Sequence, residues 1–465
     1  MITAQIGLIG LGTMGAALAL NIADNGFDIA VWNRTRNVTH DFVKNAGDLA
    51  TRITGTDTLE DLIAAIATPR AIILMVPAGQ PVDDQIAALR PLLDDNDLII
   101  DAGNALFHDT NRRMAEAKGP FLGIGVSGGE EGARFGPSIV GGGERASWDR
   151  VAHIFEAISA KHEGTPCATW MGKAGAGHFV KAVHNGIEYA DMQMIAEVYG
   201  VMRDGFGMSA PDIGTVFARW NKGPLQSYLI EISGKVANAF DTKSKGPLLD
   251  IIVDAAGQKG TGRWTAIEAQ HLASPIPGIE AAVVARNLSS RLQERVECEA
   301  LFGAAPVSIS SAQLSIAQLE TGLIAGKILS YAQGFAMIDA ASASYDWALP
   351  LPEIARVWRA GCIIRSSMLD DMATALTENP DRNLMQAPAF AELLKAHHIA
   401  LRQIVAVGTL HGIAMPALAS SVAYFDAMRT SRGTANMIQG QRDYFGRHSF
   451  SRLDGGEGWH GPWAN

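Results

Sequence analysis

The 465 residues are 48% apolar, enough to bury a large core shared among two or three domains. A formal net charge of −10 with scattered basic residues excludes a nucleic-acid stripe and a polybasic membrane anchor, so anionic small molecules must be held by local cationic pockets. Cys167, Cys298 and Cys362 lie far apart and form no CxxC pair, which speaks against a zinc cage or a disulfide framework and for a reducing compartment.

Met1 to Ile9 run directly into a strand-like stretch with no basic leader, so no signal peptide is expected. Short aliphatic runs at Ile6–Ile9, Ile29–Trp32, Ala71–Val76, Leu98–Asp101 and Phe121–Gly125 then alternate with amphipathic stretches, the pattern of a parallel sheet with crossover helices over residues 1–177. Gly10, Gly12 and Gly15 form G-x-G-x-x-G immediately after the first run and ahead of a helix expected to reach about Asn25. Gly10 permits a tight turn, Gly12 lets the backbone approach a pyrophosphate, and Gly15 lets the helix pack closely; the helix N-terminus adds amide donors and positive dipole. The second run ends in Asn33-Arg34-Thr35, where an NAD-dependent enzyme usually carries an acid for the ribose hydroxyls. A guanidinium and a hydroxyl suit a 2′-phosphate instead, which favours NADP and leaves NAD possible.

Val126-Ser127-Gly128-Gly129 is a small-residue turn after a strand, where a backbone can approach a carboxylate or a nicotinamide. Beyond Gly177 the strand signals fade and helical spacing takes over, as in Tyr189 to Met202 and Ala312 to Ala343, giving an all-helical domain over 178–435. Its first helix carries Lys181, Asn185 and Glu188 at i, i+4 and i+7, with His184 at the edge of the same face. The rise from Lys181 to Glu188 is about 10 Å, a span two long side chains can close on a substrate several carbons long. Lys and Glu on a helix face usually just meet water; a base and an acid here require a depressed and a raised pKa. Lys259-Gly260-Thr261-Gly262 pairs a cation and a hydroxyl with flexible backbone, and Arg286 stands in an otherwise apolar helix, Ile279 to Leu288. Val405 to Phe425, interrupted by His411, Gly412, Pro416 and Ser420, reads as buried helix rather than a membrane span. From Asn436 to Asn465, glycines, aromatics, Arg442, Arg447, His448 and Arg452 suit an extended arm lying on a surface such as a neighbouring subunit. The fold class expected is therefore an α/β Rossmann domain, a large all-α domain and an extended C-terminal tail, in a cytoplasmic protein with neither a nucleic-acid nor a membrane partner.

These blocks together resemble the 6-phosphogluconate dehydrogenase family over nearly the whole chain: the glycine fingerprint, Asn33-Arg34-Thr35, Asp101 to Asn104, Val126 to Gly132, Gly175 to Tyr189, Lys259 to Gly262, and Gln441 to His448. The resemblance implies oxidative decarboxylation of 6-phosphogluconate to ribulose 5-phosphate with reduction of NADP, in the pentose phosphate pathway. Lys181 takes the role of general base toward the 3-hydroxyl, and Glu188 that of the acid that protonates the enediol. Thr13, Met14, Val76, Ala78 and Asn104 join the glycines and Asn33 to Thr35 as cofactor-binding residues. Asn104, Ser127, Gly128, Gly129, His184 and Asn185 match positions on the sugar acid, and Tyr189, Lys259, Thr261 and Arg286 match the phosphate pocket. Arg442 and His448 match residues that reach into the neighbouring subunit's site, which implies a homodimer with shared active sites. No metal is implied, because a 3-keto acid loses carbon dioxide into its own carbonyl.

Two departures lie near the cofactor cleft: Pro77 stands where many members have a lysine, and Ala102 where a glycine is commoner. Both bear on coenzyme preference rather than on reaction type. A 3-hydroxyacid dehydrogenase shares the fingerprint, the Ser-Gly-Gly turn and the lysine, but would leave Lys259, Arg286 and Arg442 without a phosphate to bind. A non-enzymatic NADP-binding redox sensor leaves the presence of both Lys181 and Glu188 unexplained.

Overall fold

In the computed structural model, which describes residues 3–463, eight strands form one sheet. Met1, Ile2, Ala464 and Asn465, the outer ends of the first expected domain and of the tail, lie outside the described residues. The strands are β1 (Ile6–Ile9), β2 (Ile29–Trp32), β3 (Ile53–Gly55), β4 (Ala71–Leu74), β5 (Leu98–Asp101), β6 (Phe121–Val126), β7 (Ile139–Gly143) and β8 (Ala168–Gly172). Their order is β8-β7-β6-β5-β4-β1-β2-β3, with every pairing parallel except β6 with β7. Continuous apolar runs such as AIIL in β4 are buried along their whole length, as strands covered on both faces must be. The chain turns outward in opposite directions from β1, toward β2 and toward β4, so a crevice opens at the C-terminal ends of these strands. Helix α1 (Thr13–Asp24) begins there, directly after Gly12. Helix α2 (Phe107–Glu116) follows β5.

The helical part hangs on α3 (Ala176–Gly200), which is buried around nearly its whole circumference and ends in one π-helical turn, Val201–Gly205. Its N-terminal turns lie directly on β6 and β7, and glycines make the approach possible. A Cβ on Gly142 would fall 2.4 Å from the Gly177 nitrogen, and one on Gly125 would fall 2.5 Å from Lys181 Cβ. Around α3 pack α4 (Thr261–His271), α5 (Pro277–Ser289), α7 (Ile316–Ser344) and α9 (Pro416–Arg429), while α6 (Leu292–Phe302) buries none of its residues. Val405 to Phe425 is not one helix. α8 (Pro388–Leu410) stops at Gly412, whose φ of +74° favours glycine, and α9 restarts at Pro416. No helix among the described residues is long and apolar enough to cross a membrane.

The tail departs from the extended arm expected for it. Ala435–Gly446 forms a helix, α10, ended by Arg447 at φ +51°. The reason is Asp443, which is fully buried in the glycine- and aromatic-rich segment that folds back on it. Its carboxylate accepts hydrogen bonds from the backbone nitrogens of Ser449 and Gly461, both at 2.9 Å, and from Trp463 Nε1 at 3.0 Å, with His460 Nδ1 at 2.7 Å. Burial pushes that carboxyl up, but the Gly461, His460, Trp463 and Ser449 donors outweigh it and hold it down to about 2. Among the described residues the tail has little core, and this polar hub supplies its internal order.

At the centre of the helical domain Lys327 of α7 and Asp191 of α3 form an ion pair at 2.5 Å, both side chains 1% exposed. Two charges in such a place tie α7 to α3, and removing one strands the other. Lys327→Met is expected to destabilise the protein by about 3–5 kcal/mol, read as a lower urea midpoint. Lys327→Met combined with Asp191→Leu should recover a substantial part of the loss, and no recovery would mean that the pair does not act as a unit.

Candidate active site

A cleft of about 330 Å³ lies at the crevice of the sheet, with Gly10, Gly12, Asn33, Arg34, Thr35 and Val76 in its wall. Gly10 has φ +100°, and a Cβ there would fall 2.5 Å from the Met75 carbonyl oxygen, so the turn excludes any other residue. Gly12 faces open space, which leaves its backbone free to meet a pyrophosphate. Asn33 turns inward. Its Oδ1 accepts the Leu11 N–H at 3.1 Å and braces the glycine turn, while Arg34 and Thr35 remain exposed. Arg34 forms no ion pair among the described residues, so its guanidinium is free for a phosphate. This glycine cradle with a cation at its far end fits a phosphorylated dinucleotide. Pro77 rather than Ala78 lines the cleft; Thr13 lines a separate recess with Glu130 and Glu131, and Met14 packs against the sheet core.

Lys181 stands one turn into the buried part of α3, and its stem runs past Gly125, the only residue type that leaves room. Its ammonium nitrogen donates to Ser127 Oγ at 2.7 Å and to Asn185 Oδ1 at 2.9 Å, and lies 3.5 Å from His184 Nδ1. Asn185 passes the network on through Nδ2 to Thr261 Oγ1 at 3.0 Å, at the start of α4. Ser127 is fixed in turn because Gly128, at φ +100°, packs so closely on Gly361 that a Cβ would fall 2.6 Å from its carbonyl oxygen. Burial pushes the Lys181 amine below its ordinary value, against a pull upward from Glu188. His184 is driven well below its ordinary value by burial and by Lys181, so the ring is neutral, and its Nε2 has no partner among the described residues.

Glu188 lies two turns further along the same face, its side chain 20% exposed and its Oε2 3.9 Å from His184 Nδ1. Burial raises its carboxyl, Lys181 and Arg286 lower it, and Asp191 raises it again, with a net upward displacement. An amine made easier to deprotonate and a carboxyl made easier to protonate thus share one face of one helix, the pairing that proton transfer near neutral pH needs. Beside Glu188, the Arg286 guanidinium lies 3.7 Å from the centroid of the Tyr189 ring, and Gly262 packs on the same ring's other atoms.

The sequence-derived set thus converges in part. Ser127, Lys181, His184, Asn185 and Thr261 form one buried cluster, with Gly128, Glu188, Tyr189 and Arg286 around it. Asn104 and Lys259 are exposed, and Gly129, at φ +64°, opens a short helix, Gly129–Phe135. Arg442 bonds only to Gln439 of its own helix, and neither it nor His448 has a hydrogen bond or ion pair to the Lys181 cluster among the described residues. Sequence reasoning missed three supporting features. Gly125 clears room for Lys181; its signal was the Gly123/Gly125 alternation in β6. His178 of α3 meets Thr110 of α2 at 2.7 Å. Glu268 of α4 gathers His271, three residues on in the same helix, with His108 of α2 and Tyr345, which no spacing rule connects to it.

Comparison with known proteins matches two family models, the NAD binding domain of 6-phosphogluconate dehydrogenase over residues 5–172 and the 6-phosphogluconate dehydrogenase C-terminal domain over residues 177–463. The chain is 44% identical to the NADP(+)-dependent, decarboxylating 6-phosphogluconate dehydrogenase of Bacillus subtilis, covering 99% of each chain. It is 46% identical to the decarboxylating 6-phosphogluconate dehydrogenase of Treponema pallidum, over 99% of this chain and 97% of that one. Among solved structures, that of Plasmodium falciparum 6-phosphogluconate dehydrogenase, studied with NADP+ and with 6-phosphogluconate, superimposes with a TM-score of 0.94 at 39% identity, over 99% of this chain and 100% of that one.

The opposed displacements of Lys181 and Glu188 are coupled. Lys181→Met removes a positive charge that holds the Glu188 carboxyl down, so that carboxyl should titrate at higher pH than in the unaltered protein; Arg286→Ala should move it the same way by less. Infrared titration of the carboxyl band, identified by difference against Glu188→Gln, reads the displacement. Movement to lower pH would refute the coupling.

Proposed function

The chain belongs to the 6-phosphogluconate dehydrogenase family, and from that premise we propose that it oxidises and decarboxylates 6-phospho-D-gluconate to D-ribulose 5-phosphate and carbon dioxide with NADP, in the pentose phosphate pathway. The observation that carries the residue roles is the buried Lys181 amine, held between Ser127 and Asn185 on the helix face that also bears Glu188.

NADP, when bound, supplies the hydride acceptor; the Gly10–Gly15 turn, Arg34, Thr35 and Val76 would hold it, with Arg34 on the 2′-phosphate. Lys181 takes the proton of the 3-hydroxyl as that carbon is oxidised, and its lowered pKa makes the neutral amine available to do so. The resulting 3-ketone lies β to the carboxylate. Lys181, now an ammonium, returns its proton to the carbonyl oxygen as the carbon–carbon bond breaks, so the electron pair settles into an enediol without a metal. Glu188, its carboxyl made easier to protonate by burial, then delivers a proton to the carbon that lost the carboxylate while Lys181 takes back the proton of the enediol hydroxyl at the former ketone carbon, and the enediol becomes the ketose. Ser127, Gly128, Gly129, His184 and Asn185 orient the sugar acid, with Asn104 between substrate and cofactor. Tyr189, Lys259, Thr261 and Arg286 take its phosphate. Neutral His184 binds hydroxyls without adding a charge that would repel the Lys181 proton.

The phosphate pocket is completed by Arg442 and His448 of a second copy, so the working unit is a homodimer. Exposed apolar residues of the helical domain and tail support this reading: Leu301, Phe302 and Leu410 are 77%, 84% and 82% exposed, and Tyr444 and Phe445 are 70% and 73% exposed. Division at about residues 177 and 435 then separates cofactor binding, substrate binding with dimerisation, and the exchanged tail. A cytoplasmic setting agrees with the three free cysteines.

Purified protein supplied with 6-phosphogluconate and NADP should form NADPH and carbon dioxide in equal amounts. Lys181→Met and Glu188→Gln should each lower kcat by about 10²–10⁴-fold, and a near-normal rate in either variant would remove its assigned role. Arg442→Ala should raise KM for 6-phosphogluconate by roughly 10–100-fold, the worth of a charged hydrogen bond, while KM for NADP stays within about twofold. Equal weakening of both would refute the shared phosphate pocket.

A further inference from the structure

At the domain boundary, two helical turns along α4 from Thr261, two imidazoles converge on one carboxylate oxygen. Glu268 of α4 is buried, its side chain 5% exposed, and its Oε2 lies 2.8 Å from Nε2 of His108 and 3.3 Å from Nδ1 of His271. The three ligand atoms lie within 4.8 Å of one another. Tyr345 donates from its hydroxyl to the other oxygen, Oε1, which fixes the plane of the carboxylate and leaves Oε2 pointing at the two rings. The rings are on the outer side, His108 46% and His271 63% exposed, so a hydrated ion can reach them without any opening of the protein.

We propose that His108, Glu268 and His271 bind a divalent transition-metal ion of the zinc type. Zinc–nitrogen and zinc–oxygen bonds of about 2.0–2.2 Å in a tetrahedron put ligand atoms roughly 3.3–3.5 Å apart. The distances here need adjustments well under 1 Å from that figure on the Glu268 edges, and the exposed side keeps the fourth position for water. Two imidazoles with one carboxylate select Zn²⁺, Co²⁺ or Ni²⁺ over Mg²⁺ or Ca²⁺, which prefer all-oxygen sets. The Tyr345 hydrogen bond is the outer-shell restraint that such ligating carboxylates carry.

Position gives the site a consequence. His108 lies in α2, four residues beyond Asn104 on the Rossmann domain, and Glu268 and His271 lie at the end of α4, whose first residue, Thr261, bonds to Asn185. The ion would link the two domains through two helices that lead into the cleft.

The test uses the full-length protein stripped of metal, with Zn²⁺ alone followed by calorimetry and Co²⁺ alone followed by its visible absorption. One equivalent per chain with an intense, four-coordinate cobalt band is expected. His108→Ala and His271→Ala, both at exposed positions, should each weaken zinc binding by more than about tenfold, the least that loss of a partner in a metal site costs, with metal-free circular dichroism and unfolding midpoints unchanged. Absence of stoichiometric binding, or unchanged affinity in both variants, would overturn the site. Weakening in His271→Ala alone would overturn the bridge between domains.

Discussion

A buried amine is the constraint from which most of this structure follows. Among the described residues Lys181 meets no carboxylate within hydrogen-bonding distance, only the oxygens of Ser127 and Asn185 and, at 3.5 Å, His184 Nδ1, so burial disfavours its charged form and its proton is more readily lost. To bury it, helix α3 must lie against β6 and β7, and that contact exists only because Gly125 and Gly142 offer no side chains. The glycines that clear this face of the sheet therefore also set the proton affinity of the proposed base. A methyl group at 125 would lift the helix, admit water and restore an ordinary lysine.

The same contact joins the two halves of the protein. Ser127 belongs to the end of a sheet strand, Lys181 and Asn185 to the long helix, and Thr261 to the first turn of α4, so one chain of hydrogen bonds runs from the cofactor domain through the helical domain. Deeper in, the Lys327–Asp191 pair ties α3 to α7. Asp191 lies three residues from Glu188 and pushes its pKa upward, so a residue of the ion pair that orders the core also raises the proton affinity of the proposed acid. Architecture and proton chemistry are set by overlapping groups of residues.

The sequence made some of this legible and hid the rest for physical reasons. The strands, the glycine turn and the polar face of α3 follow periodicities of two and 3.6 residues, and these are local rules. Lys181, Asn185 and Glu188 could be found because they repeat on one helix. Glu268 and His271 share a face of α4 by the same rule, but His108, about 160 residues from Glu268, and Tyr345 join them only when distant segments pack together. Likewise the place of Asn33 after β2 points to the cofactor, but nothing in the spacing shows that its Oδ1 accepts the Leu11 N–H and braces the glycine turn. Spacing reveals which residues share a face; it is silent on which backbone donor a short amide will reach.

The tail is the clearest case of polar order replacing a core. Its glycines and aromatics suggest an extended arm, but Asp443 collects donors from Ser449, His460, Gly461 and Trp463 and folds residues 435–463 around itself. That fold has a functional logic under the proposed homodimer. Arg442 immediately precedes Asp443, and His448 immediately precedes Ser449, so the hub fixes the backbone beside both side chains while leaving them exposed. A limp arm would lose conformational freedom on delivering a guanidinium and an imidazole to a neighbour's phosphate pocket, and affinity would fall accordingly. A tail already ordered by one buried carboxylate has lost that freedom on folding, so in the proposed homodimer Arg442 and His448 would reach the partner as a preformed pair.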